Sequence, residues 1–95
     1  MRVALIKDAE EVPKADKLYK LTIDLGDGER TLVAGLAQYY KKEALIGKKI
    51  IVLTNLEPRK LRGILSEGML LAAVEGENVS ILTPDKDIAP GAKIE

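Results

Sequence analysis

The sequence predicts an all-β domain: a five-stranded Greek-key barrel of the OB type, with one short helix between strands three and four and a C-terminal extension. Three observations support this prediction. Glycine and proline recur at short intervals, which favours several short strands over long helices. Apolar and polar residues alternate in several segments, and a single segment with helical spacing lies mid-chain. A small sandwich would accept the same strands but gives no reason for the single helix.

The first half of the chain predicts three strands. Arg2–Lys7 is rich in β-forming residues, and Asp8–Lys17 follows as a polar connector that contains a proline. Leu18–Leu25 alternates strictly, and Gly26-Asp27-Gly28 predicts a hairpin turn, because Asp-Gly supplies positive φ angles readily. Glu29–Ala34 returns as the third strand. The side chains predicted to face inward from the second strand are Tyr19, Leu21, Ile23 and Leu25.

The second half predicts a helix and two or three further strands. Leu36–Ile46 has helical spacing, and Gly47 is placed to end the helix. Lys48–Thr54 is apolar throughout its middle, so we expect it to be the most buried strand. The remaining predicted segments are a buried strand over Met69–Val74, a hairpin turn over Glu75–Asn78, its partner strand over Val79–Leu82 and an irregular tail over Asp85–Glu95.

The composition excludes several chemistries. The chain has no Cys and no His, which excludes thiolate nucleophiles, disulfides, zinc fingers and imidazole bases. The carboxylate pair Asp85 and Asp87 lacks the glycine-containing spacing of a metal loop, and no phosphate-binding glycine motif is present. We therefore expect a non-catalytic binding or structural module with no cofactor and no metal.

Length and charge further restrict the class of protein that this sequence can encode. A chain of 95 residues predicts one domain over residues 1–95, and no apolar run or N-terminal pattern predicts a membrane span or signal peptide. We expect a cytosolic protein. Fifteen basic and fifteen acidic residues with few amides resemble the composition of thermophile proteins. The net charge of zero argues against general polyanion binding but leaves local basic patches open.

The segment Arg59-Lys60-Leu61-Arg62-Gly63 carries the densest positive charge. Arginine and lysine suit phosphate oxygens, so one interpretation is a nucleic-acid contact. The alternative is an exposed strand whose cations block edge-to-edge aggregation. Only three tyrosines could stack bases, and Tyr19 is expected in the core, so recognition of a folded RNA by shape and backbone fits better than threading of a single strand.

The segment Ser66-Glu67-Gly68-Met69 combines a hydroxyl, a glycine and the only internal methionine. One interpretation is a turn that contacts a nucleotide, but the residues alone favour the alternative, a β-bulge before a buried strand.

The stretch from Asn55 to Ala73, read as NLEPRKLRGILSEGMLLAA, resembles the signature of a tRNA-binding domain family. That family includes the C-terminal domain of many methionyl-tRNA synthetases, free-standing bacterial tRNA-binding proteins and the endothelial monocyte-activating polypeptide. Agreeing segments in the same order are Arg2-Val3, Ala15-Asp16-Lys17-Leu18, Arg30-Thr31-Leu32-Val33-Ala34-Gly35, Leu45-Ile46-Gly47-Lys48-Lys49 and Leu82-Thr83-Pro84-Asp85-Lys86.

The resemblance implies an OB-fold that binds tRNA through its outer shape, usually as a homodimer, to which residues 79–95 would contribute. It implies that the chain is an accessory domain or β subunit of methionyl-tRNA synthetase. Such a domain has no catalytic residues of its own, and its partner is a catalytic synthetase subunit. The related domain of the phenylalanyl-tRNA synthetase β subunit and a chaperone-like or docking module are the alternatives. The implied tRNA-binding residues are Lys17, Arg30, Asn55, Arg59, Lys60, Arg62, Ser66 and Met69.

Two departures from the family pattern affect these expectations. Val12-Pro13-Lys14 stands where the family usually has His-Pro-Asn, so we expect the RNA contact from that loop to be altered. The family's usual stretch before Arg2-Val3 is absent from this sequence, so we expect a short first strand and an altered dimer contact. The retained turn over Ser66–Met69 favours the tRNA-binding branch over the chaperone branch.

Overall fold

The computed structural model describes residues 1–95 as a mostly β protein with one short helix, which confirms the predicted fold class. Its main sheet is antiparallel, with five strands in the order β3-β2-β1-β4-β7, and two separate hairpins pair β5 with β6 and β8 with β9. The elements are β1 (Arg2–Val12), β2 (Ala15–Asp24), β3 (Glu29–Ala34), α1 (Lys42–Leu45), β4 (Lys49–Leu53), β5 (Arg59–Leu61), β6 (Ile64–Ser66), β7 (Met69–Leu70), β8 (Ala72–Glu75) and β9 (Asn78–Ile81).

The first two strands form a long hairpin where the sequence predicted a short strand and a polar connector. β1 continues to Val12, and the chain turns at Pro13 and Lys14, which has a φ of 62°. The prediction failed because irregularities in the β1–β2 register lie between Ile6 and Asp8 and between Glu11 and Val12. Each irregularity shifts the inward-facing position, so the buried residues of β1 do not alternate regularly. The expectation of a short first strand is therefore wrong.

The core lies against the inner face of the main sheet. The alternation predicted for the second strand is confirmed, since Tyr19, Leu21, Ile23 and Leu25 are all buried. β4 is fully buried only on one side, with Ile50 and Val52 inaccessible and the other three residues of the strand half-buried. The core cluster also includes Ala4, Ile6, Leu32, Leu36, Leu45 and Ile81.

The helix is shorter than the predicted Leu36–Ile46 and comprises only Lys42–Leu45. A helix over the whole segment would need the Tyr40 carbonyl to accept from the amide of Ala44. That carbonyl instead accepts from the Tyr19 hydroxyl at 2.7 Å, and the Ala44 amide donates to Lys41. A partly buried tertiary hydrogen bond thus replaces the helical one. No helix of the structure has the length and apolarity needed to cross a membrane.

The second half contains six short strands where two or three were predicted. The expected buried strand over Met69–Val74 is interrupted at Leu71, and both of its end residues are largely exposed, Met69 at 53% and Val74 at 69%. The hairpin predicted around Glu75–Asn78 is confirmed. The tail is irregular as predicted but hydrogen-bonds to β1, where Gly91 donates to the Val3 carbonyl at 2.7 Å and Val3 donates to Ala92 at 2.9 Å.

Candidate nucleic-acid interface

The basic segment forms a two-stranded hairpin, and its geometry divides the three cations. Arg59 lies opposite Ser66 and Lys60 lies opposite Leu65, with Arg62 in the connecting turn at a φ of 52°. Directly opposed residues share a face of an antiparallel pair, and neighbours along a strand point to opposite faces. Arg59 and Ser66 therefore share one face of the hairpin, whereas Lys60 and Leu65 share the other.

The Arg59 face lines a cleft of about 330 Å³ between the hairpin and the main sheet. Arg59 is the only cation in the lining, and Glu57 is the only carboxylate. The full lining is Val33, Leu56, Glu57, Arg59, Leu61, Ser66, Gly68 and Met69. We call this the Arg59 cleft. Neither Lys60 nor Arg62 lines it, and contact of these two side chains with RNA stays a prediction.

Hydrogen bonds fix the base of the hairpin to β3. The Ser66 hydroxyl accepts from the Val33 amide at 3.0 Å and donates to the Gly68 carbonyl at 3.1 Å. The Glu67 amide donates to the Thr31 carbonyl at 2.8 Å. Ser66 is buried, and its hydroxyl already has two partners within the chain. Its geometric role is to shape the cleft, and a direct contact with RNA stays a prediction.

Arg30 is engaged in a similar way on the neighbouring side. Its guanidinium donates to the Thr54 carbonyl at 2.8 Å and more weakly to the Glu67 carbonyl at 3.4 Å. This side chain therefore ties the end of β4 to the turn that leads into β7. Asn55 follows Thr54 directly and is exposed, so Arg30 positions the loop that carries Asn55.

The structure brings some predicted residues together and leaves others apart. Arg59, Ser66 and Met69 meet in the cleft. Lys17 is exposed on β2 and does not line it. No local sequence pattern indicates Val33, Leu56 and Leu61 in the lining, because they come together only where β3, the loop after β4 and the hairpin meet.

A second polar cleft, of about 370 Å³, contains three lysines and two aspartates. Lys49 pairs with Asp87 at 2.5 Å, and this ammonium holds the pKa of the Asp87 carboxyl below its usual value through a hydrogen bond and its charge. The lining is Gly47, Lys48, Lys49, Thr83, Pro84, Asp85, Lys86 and Asp87. Three ammonium groups face two carboxylates here, and the Lys49–Asp87 ion pair already engages one group of each sign.

A mostly β domain with an arginine-containing cleft beside a hairpin fits the architecture of small OB-like modules that bind nucleic acids. Residues 1–93 match the family model described as "Putative tRNA binding domain". The chain belongs to this family of tRNA-binding domains. The resemblance stated from the sequence is therefore confirmed.

The relatives extend the match over nearly the whole chain. A methionine–tRNA ligase of Nanoarchaeum equitans is 55% identical over 94 residues, which are 99% of this chain and 12% of the ligase. The chain spans only 12–15% of the length of such relatives, so it corresponds to their tRNA-binding domain alone.

Solved structures agree with this assignment. A protein related to methionyl-tRNA synthetase from Pyrococcus horikoshii superposes with a TM-score of 0.93 at 38% identity, covering 99% of this chain and 87% of that one. The chaperone CsaA of Picrophilus torridus superposes with a TM-score of 0.90 at 40% identity, covering 99% and 89%.

Proposed function

We propose that this chain is a non-catalytic accessory module that raises the tRNA affinity of a methionyl-tRNA synthetase, as a domain or β subunit, in the cytosol. It would act as a single domain over residues 1–95. The observation that carries the proposal is the identity of 55% to a region of methionine–tRNA ligase, together with the family match over residues 1–93. The Arg59 cleft supplies a place for the RNA backbone, because a guanidinium suits phosphate oxygens.

Recognition by shape and backbone fits the chemistry of this face. The cleft offers one guanidinium, and the Ser66 hydroxyl in its lining is already bonded within the chain, as is the Arg30 side chain beside it. Reading a base sequence needs several side chains aimed at base edges. We therefore expect weak selectivity among tRNAs.

A grafting experiment tests the accessory role. A methionyl-tRNA synthetase from which its own tRNA-binding domain has been removed would receive this chain in that position. We expect the graft to lower the KM for tRNA by at least about tenfold, because a linked module raises the local concentration of the ligand. The kcat should stay unchanged, since uniform binding alters KM only. A graft that leaves the KM at the level of the truncated enzyme would contradict the proposal.

A protein-binding, chaperone-like module is the second candidate. The similarity to the chaperone CsaA and the net charge of zero favour it. An aggregation assay distinguishes the two functions, because a chaperone suppresses aggregation of an unfolding client protein whether or not tRNA is present. We expect this chain not to suppress client aggregation at concentrations that are sufficient to saturate tRNA.

We also propose a homodimer to which residues 79–95 contribute. Leu82 and Ile88 leave large apolar side chains exposed in this segment. Ile81 packs in the core of its own subunit and so does not contribute. A symmetric pair would bury this apolar surface and present two Arg59 clefts to one folded RNA.

Light scattering at low micromolar concentration measures the oligomeric state. We expect a mass of twice the 10.3 kDa of one chain. A mass equal to that of a single chain would contradict the dimer and leave the tRNA-binding proposal intact.

A further inference from the structure

An apolar groove of about 360 Å³ adjoins the Arg59 cleft. Its walls come from β3, the turn after it and the exposed parts of β7 to β9, and it contains no charged side chain. The lining residues that matter here are Val33, Leu36, Tyr39, Met69 and Val74. We call this the Tyr39 groove.

The groove and the cleft form one continuous surface. Val33 and Met69 line both of them, and Met69 is half exposed between the two. Because the two share these lining residues, a ligand whose anionic part lies at Arg59 can place an apolar, planar part in the adjoining Tyr39 groove. A nucleotide has that combination of an anionic backbone and a flat π face.

Tyr39 is the one tyrosine that the fold leaves free. Tyr19 is buried and donates to the Tyr40 carbonyl, and the Tyr40 hydroxyl accepts from the Ile81 amide at 3.1 Å. Tyr39 makes no side-chain hydrogen bond and is 47% exposed. Its hydroxyl has no hydrogen-bond partner within the chain, and its ring lines the groove, where a ligand can contact it.

We propose that the Tyr39 groove binds one unstacked nucleobase of the RNA whose backbone lies at the Arg59 cleft. This inference rests on the proposed tRNA-binding function. Folded RNAs expose unstacked bases in loops and at ends, and proteins bind such bases on aromatic side chains. The uncharged lining of the groove suits the face of a base. The Arg59 guanidinium in the adjoining cleft can donate hydrogen bonds to the phosphate of the same nucleotide. The groove therefore distinguishes a folded tRNA from a plain duplex.

The experiment compares two substitutions at Tyr39 on two RNA probes. Tyr39→Ala removes the stacking surface, whereas Tyr39→Phe keeps the ring and removes only a hydroxyl that has no partner. Each variant is titrated with unfractionated tRNA and with a blunt RNA duplex of similar length. Melting temperature and light scattering are measured alongside.

We expect Tyr39→Ala to weaken tRNA binding by about 5- to 150-fold, the range for loss of one base–aromatic stack. Duplex binding should stay within about twofold, and the salt dependence should not change, because no phosphate contact is lost. Tyr39→Phe should bind tRNA like the original chain.

Four results would overturn the inference. They are an unchanged tRNA affinity of Tyr39→Ala, an equal loss on tRNA and duplex, a loss that Tyr39→Phe shares, and a change in oligomeric mass that assigns the groove to a contact between copies. A failure of the original chain to bind tRNA is a separate result, seen before any variant is made, and it would reject the proposed function itself.

Discussion

Replacing Gly68 with alanine is expected to destabilise the fold by about 2–5 kcal/mol and to lower the melting temperature by at least about 8 °C. Gly68 has a φ of 146°, far outside the small left-handed region open to other residues. A Cβ at this position would lie 2.6 Å from the Leu53 carbonyl oxygen, which is backbone and cannot move aside. Strain and overlap therefore add. Thermal or urea unfolding measures the loss.

Gly76 provides the matched control. It also has a positive φ, of 59°, but an added Cβ would meet nothing within 4 Å. Gly76→Ala should cost only about 1 kcal/mol, from the backbone conformation alone. If the two alanine variants melted together, the close approach between Gly68 and Leu53 would not constrain the fold.

Local patterns in the sequence predicted the elements that local physics determines. The alternation from Tyr19 to Leu25 specified which side of β2 is buried, because side chains of a strand face opposite sides in turn. The Asp-Gly turn after it and the return strand over Glu29–Ala34 followed from turn chemistry. These predictions needed no knowledge of what the strands pack against.

Tertiary contacts decided the features that the sequence mispredicted. Helical spacing extended over Leu36–Ile46, but the hydrogen bond from Tyr19 to the Tyr40 carbonyl limits the helix to four residues. The apolar run from Met69 to Val74 predicted a buried strand. Its second half instead belongs to the separate β8–β9 hairpin, where Val74 is exposed. In the first case the determining partner lies 21 residues away in sequence.

The candidate site shows the same division. The positive charge of Arg59, Lys60 and Arg62 is evident from sequence. Their assignment to different sides depends on the register of a hairpin whose two strands have three residues each. Likewise, the hydroxyl of Ser66 marked a functional turn, but its engagement by the Val33 amide depends on how β3 meets the hairpin. Spacing alone could not show that only Arg59 enters the cleft.

Arg59→Ala is expected to weaken tRNA binding by about 10- to 100-fold, since one charge-assisted hydrogen bond contributes roughly 1.5–3 kcal/mol. The exposed position of Arg59 means that stability should change by no more than about 0.5 kcal/mol. Losing one phosphate contact should also reduce the log–log salt slope by about 0.7–0.9. Lys60→Ala is the matched control, because it removes the same charge from the opposite face of the same hairpin.

The most direct measurement titrates unfractionated tRNA against the original chain, Arg59→Ala and Lys60→Ala at two salt concentrations. The account predicts salt-sensitive binding by the original chain, a large loss with a reduced slope for Arg59→Ala, and a change of no more than about threefold for Lys60→Ala, because its single exposed charge lies outside the cleft. Equal losses in both variants would mean that net charge, not the cleft, holds the RNA. An affinity that survives Arg59→Ala within about twofold, when a lost contact should cost tenfold or more, would contradict the claim that this face binds tRNA.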